Sequence, residues 1–185
     1  MRMAPAIAAL LLASSVHAEP SAWTMSPEGS EIAFTATFEN APARGVFRKF
    51  DVSLRIDPDK PAAGRLDVTI AVPTAEMGSD DIDETIRGAE WFDASRFPVA
   101  EFHAAEVRRV APDRYVADGT LTIKGISKPL AVPFDWKPSG NGATITGDVA
   151  VDRSTYNIGT GEWRSTKQIG GEVQVRFTVR LRKVP

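Results

Sequence analysis

Few side chains in this sequence could carry chemistry, and their spacing argues against most of it. Histidine occurs twice, as His17 and His103, and cysteine is absent. His17 falls in an apolar N-terminal stretch read below as a leader. His103 is then alone, too little for a His-based triad or a multi-histidine metal site. It reads as a strand-surface residue. Asp80, Asp81, Asp83 and Glu84 form an acidic group, but they lack the ligand spacing and glycine of a calcium loop. Acids at the start of a helix are accounted for by its macrodipole, at about 0.3–1 kcal/mol each. A glycosidase pair is defined by separation in space, which leaves these carboxylates unassigned. Gly159-Thr160-Gly161 is no phosphate loop, since no Lys-Ser/Thr follows and no helix opens there. No catalytic and no metal-ligating residue is assigned, and the chain reads as a container in preference to an enzyme.

The elements that would build a container are legible. Eight runs alternate apolar and polar residues, each closed by turn residues: 32–38, 45–56, 65–72, 99–110, 114–123, 127–136, 143–151 and 173–181. Period-two alternation marks strands with one buried and one wet face. Asp57-Pro58-Asp59-Lys60-Pro61 and Ser139-Gly140-Asn141-Gly142 read as turns. One stretch lacks strand character. Ser79 is an N-cap candidate there, acids fill the first turn, Ile82 and Ile86 stand at i, i+4, and Gly88 is a stop. Short connections favour antiparallel neighbours, and one helix cannot cover so large a sheet. The expected fold is all-β, an eight-stranded antiparallel barrel with one short helix between strands three and four. A two-sheet sandwich is the main rival.

The chain has 22 basic and 24 acidic residues, interspersed, for a net charge of −2. That excludes the basic stripe of a nucleic-acid binder and a polybasic membrane anchor. The N-terminus differs in kind. Arg2, an apolar stretch over residues 3–12, and small residues at Val16 and Ala18 have the form of a secretory signal peptide cleaved after Ala18. The expected organisation is a signal peptide over residues 1–18 and one domain over 19–185. The apolar stretch is too short to span a bilayer.

An eight-stranded barrel either fills with side chains or leaves room for one small ligand. Small residues interrupt the inward faces at Ala36, Ala117, Gly119, Ala143 and Gly147, which leaves volume. Directly after the helix, Trp91, Phe92, Phe97 and Phe102 put four aromatics into twelve residues. They read as the mouth of an apolar site with the helix as its lid.

At this segment the chain resembles the YceI-like family of exported, lipocalin-like polyisoprenoid-binding proteins. The resemblance runs from about Trp23 to Leu181. It rests on Trp91-Phe92-Asp93 with Phe97-Pro98 and Phe102, on residues 119–129 (GTLTIKGISKP), on Gly45-Val46-Phe47 with Phe50, on Asp57-Pro58, and on Arg153 with Tyr156 and Gly159. It implies a lipocalin-like barrel in the periplasm holding a long apolar molecule: an isoprenoid quinone, a polyprenyl lipid or a fatty-acid derivative. Some members are associated with membrane b-type cytochromes that oxidise quinol, so a partner of that kind is also implied. The chain departs from the family at Ile82-Asp83, where many members carry Arg-Asp, and at Thr74 and Met77. Arg87 is the candidate substitute for the missing arginine.

Together these readings assign Phe34, Phe38, Phe47, Phe50, Phe102, Leu121 and Phe134 to the wall of the site. Trp91, Phe92, Phe97 and Trp163 are placed at its mouth, with Arg153 as the polar group for a ligand head. The competing reading is a barrel with a filled core that serves as a protein-interaction partner of a membrane redox protein.

Overall fold

The computed structural model describes residues 20–57 and 60–184. The expected signal peptide and the Pro58-Asp59 part of the first turn lie outside the described residues. Ten strands form one sheet: β1 (Ser21–Phe38), β2 (Ala41–Phe47), β3 (Phe50–Ile56), β4 (Arg65–Ala71), β5 (Ala75–Glu76), β6 (Val99–Ala111), β7 (Arg114–Ile123), β8 (Ile126–Ser139), β9 (Gly142–Asp152) and β10 (Glu172–Lys183). The helix α1 (Asp80–Arg87) lies between β5 and β6.

The sheet closes on itself. Strands β1, β3, β4, β6, β7, β8, β9 and β10 follow one another, and β10 pairs back onto β1. These eight antiparallel strands make the expected barrel. The expected second strand is two strands, split at Arg48-Lys49. β3 pairs with the start of β1, Ser21 to Thr24, and β2 with its end, Ile32 to Phe38. β1 itself is more than twice the expected run. Its register on β10 shifts between Ser26 and Glu31, and such a bulge hides the alternation that Trp23 and Met25 begin. The helix follows a short extra strand, β5, and otherwise sits where expected.

β8 and β9 pair only from Asp135/Thr146 to Ser139/Gly142. The first half of β8 pairs with β7 alone, and it carries Pro129 and Pro133, which have no N–H to give a ladder. Lys124 and Gly125 turn β7 into β8 with φ of 50° and 72°, as a two-residue hairpin requires.

The interior is divided along the barrel axis. At one end Trp23, Leu54, Ile56, Val107, Tyr115, Phe134 and Trp136 pack into a solid core. Trp23 meets Trp136 edge-on at 5.0 Å, and Tyr115 stacks on Phe134 at 5.6 Å. The other end, where α1 and residues 153–171 lie, is hollow.

Candidate functional site

The hollow end is an apolar cavity of about 490 Å³, within the roughly 300–1,000 Å³ of small-molecule sites. Its walls are the inward faces of the strands, and α1 contributes Ile82, Thr85 and Ile86.

Two covering segments close most of the end. The first is α1 with the chain that follows it. Ser79 takes the N-cap place but makes no side-chain cap bond. The buried Asp83 instead accepts a hydrogen bond from the backbone N–H of Met77. Arg87 donates from Nε and Nη2 to the Ala75 carbonyl, at 3.1 and 2.7 Å. These bonds hold α1 to β5, and Arg87 is not among the residues lining the cavity.

The second covering segment is residues 153–171. The carbonyl of Glu90 accepts from the N–H groups of Gly159 and Thr160, both at 2.8 Å, which ties the two segments together. Lys124 Nζ donates to the carbonyls of Ala89 and Asn157 at 3.1 and 2.9 Å. Its desolvation there lowers its pKa. Trp91 and Trp163 meet at 5.7 Å. On the far side, Gly170 N–H donates to Thr37 O and Glu39 N–H to Gln168 O, both at 2.8 Å.

Arg153 organises this second segment. Nε donates to Gly170 O, one terminal nitrogen to Ile158 and Gly159, and the other to Trp163, Ser165 and Ile169. The residue is 2% exposed, and its burial lowers its pKa, against the nearby charge of Asp152. An arginine has five N–H donors, and here all its partners are main-chain carbonyls. Arg153 reaches the cavity wall, but as a brace for the cover. A role in holding a ligand head is not compatible with donors already spent.

Of the expected wall residues, Phe34, Phe38, Phe47, Phe102 and Leu121 line the cavity. Phe50 and Phe134 do not: Phe134 packs at the solid end, and Phe50, level with the lining residue Ile70 on β4, is partly buried against the same core cluster. Alternation puts Phe134 on the inward face, but it does not say how far along the axis it sits. Trp91, Phe92 and Trp163 line the cavity, and Phe97 does not. Phe97 instead carries Arg96 over its ring at 5.2 Å and lies beside Gly125.

The lining residues Phe38 and Ile82 are 44% and 47% exposed, so the opening falls between the β1–β2 turn and α1. Sequence reasoning missed Ile82 and Ile86 as site residues, although their i, i+4 spacing was the signal. Phe177 and Ile158 also line the cavity unforeseen. Of the small inward residues only Ala36 lines it. Ala117 and Ala143 lie in the solid core, and Gly119 and Gly147 are filled by the rings of Phe102 and Phe177. His103 is on the outer surface, paired with Asp67. Among the described residues no group of three or more His, Cys, Asp or Glu could hold a metal ion.

A closed antiparallel barrel with an apolar chamber under a helical cover is a container fold. The chain belongs to the YceI-like family: the YceI-like domain matches residues 23–181. The crystal structure of Burkholderia cenocepacia BcnA is similar at 31% identity and a TM-score of 0.82, over 84% of this chain and 98% of that one. A polyisoprenoid binding domain from Saccharophagus degradans shares the fold at 13% identity and a TM-score of 0.69, over 88% and 98%. The UPF0312 protein of Photorhabdus laumondii is 31% identical over 86 residues, 46% of this chain and 44% of that protein. The chain thus spans about half the length of the curated relatives it matches.

Proposed function

We propose that this protein is a periplasmic carrier holding one long apolar molecule, an isoprenoid or other long-chain lipid, with its tail inside the barrel. One observation carries the reading: the cavity lining is almost wholly apolar, and among the described residues the one buried lining donor without a hydrogen-bond partner is the Trp91 indole N–H. Besides the indole N–H groups of Trp91 and Trp163, the cavity's polar lining side chains are Thr85 and Arg153. The Thr85 hydroxyl donates to Asp81 O at 2.8 Å, and Arg153 is spent on carbonyls. Such a site selects an apolar chain, with the Trp91 N–H as the single donor it can offer from a buried position.

Burial supplies the affinity. Covering about 300 Å² of apolar ligand surface contributes about 7.5 kcal/mol before the entropic costs of binding. The relationship to a polyisoprenoid binding domain supports the ligand class, and the leader form of residues 1–18 supports export. The filled-core alternative fits the solid end but leaves the hollow end without a purpose.

The test is a titration with long-chain alcohols, carboxylates and quinones of matched tails. The expected result is affinity that rises with tail length and changes little with the head. Binding that follows the head and ignores the tail would overturn the reading.

A further inference from the structure

Three phenylalanines that line the cavity, Phe34, Phe102 and Phe177, each rest the far end of the ring where a neighbouring glycine leaves out its side chain. Gly119 and Gly147 are also pressed by backbone. A Cβ on them would meet His103 O at 2.5 Å and Pro133 O at 2.4 Å, so strand approach alone explains both glycines. Gly45 is different. It lies directly across from Phe34 in the β1–β2 ladder. A Cβ there would stand 2.2 Å from Phe34 Cζ, with Cε2 and Cε1 at 2.6 and 2.8 Å, and its nearest neighbours are ring atoms only.

We propose that Gly45 sets the bore of the cavity next to its mouth, by giving the Phe34 ring a place against the wall. The inference rests on the carrier reading. Glycine inside a strand weakens the sheet, so its presence opposite a ring calls for a reason. With a methyl at position 45 the ring must leave. The ladder on both sides of the pair, Ile32/Phe47 to Phe38/Ala41, keeps the backbone from yielding. Phe47 and Phe92 stand 5.2 and 6.4 Å from the ring and block two directions. The unfilled space is the cavity, and the ring swings into it. Phe34 packs with Ile86 of α1, so the narrowing falls beneath the helix that borders the mouth. Gly45 thus acts on specificity through Phe34 and is a positioning residue.

The test compares the wild-type protein, Gly45→Ala and the double variant Gly45→Ala/Phe34→Leu. Nile red is the probe, displaced by dodecanol or farnesol, which share a backbone length and differ in methyl branches and double bonds. Gly45→Ala should unfold cooperatively and bind farnesol about tenfold more weakly, the scale on which overpacking acts, with a smaller loss for dodecanol. The double variant should regain farnesol binding.

A folded Gly45→Ala that binds farnesol like wild type overturns the inference. So does an equal loss for both alcohols that the double variant fails to restore, which marks a structural glycine. If Gly45→Ala does not fold, a folded, binding double variant still locates the clash at the ring, and an unfolded one overturns it. Wild-type protein that binds neither Nile red nor the alcohols removes the carrier reading itself, and this inference falls with it.

Discussion

The guanidinium carbon of Arg153 lies 5.7 Å from the centre of the Trp91 ring, so the brace of one covering segment rests on the aromatic face of the other. The pair joins the start of the loop after β9 to the chain after α1. Replacing Arg153 with alanine would orphan several main-chain carbonyls, each costing about 1–3 kcal/mol. Arg153→Ala should therefore lower Tm by at least about 6 °C, on the scale of about 2–4 °C per kcal/mol for a chain of this size. It should also open residues 157–171 to proteolysis. Arg153→Lys cannot reach the same set of carbonyls and should rescue little. Thermal melts and limited proteolysis check both variants.

Asp152 caps the short 3₁₀ turn at Arg153–Tyr156, accepting from Ser154 N–H and Ser154 Oγ at 2.8 and 2.6 Å. The Ser154 hydroxyl and N–H, in that order, hold its pKa below the ordinary value, against a smaller effect of burial. A depressed folded pKa contributes stability above the unfolded value of about 3.9 and loses it as pH falls through the lower folded value. Asp152→Ala should cost about 0.5–1 kcal/mol at neutral pH, the lower range for a lost cap. The gap to wild type should close as the pH falls below 4. Melting curves along a pH series test this, and a gap that persists in strong acid would contradict it.

Phe134 is 1% exposed and stacked on Tyr115, away from the cavity. Phe134→Ala should cost about 3–5 kcal/mol of stability. Its affinity for an apolar probe, measured on the folded fraction, should stay at the wild-type value. Chemical denaturation and probe titration on the same sample separate the two.

Phe38 and Ile82 give the opposite pattern. Both are exposed at the mouth, so Phe38→Ser and Ile82→Ser should change stability by no more than about 0.5 kcal/mol. Each should weaken binding several-fold, and the two together should weaken it more than either alone.

The contrast between these residues shows what the sequence could and could not convey. Alternation in 127–136 correctly puts Phe134 on the inward face, because a strand shows its two faces in turn. Alternation carries no measure of height along the barrel. Phe134 at the solid end and Phe102 at the hollow end therefore look alike. The bulge in β1 hides eleven residues of strand before Ile32, since an extra residue breaks the period that reveals a strand. The aromatic cluster rightly locates the hollow end of the barrel. The part played by Arg153 was not legible, because its partners are carbonyls up to 17 residues away and any residue can supply one. Ile82 and Ile86 were readable as an apolar pair, but only the placement of α1 over the barrel end shows what they face.

The proposed occupant of the hollow end of the barrel is a long apolar molecule. Native mass spectrometry of the protein purified from its own cells, before and after solvent extraction, tests it most directly. The account predicts an added mass on the folded protein that passes into the organic phase and returns when the extract is added back. A protein that is ligand-free as purified, and takes up neither its cells' lipid extract nor long-chain isoprenoids, would contradict it.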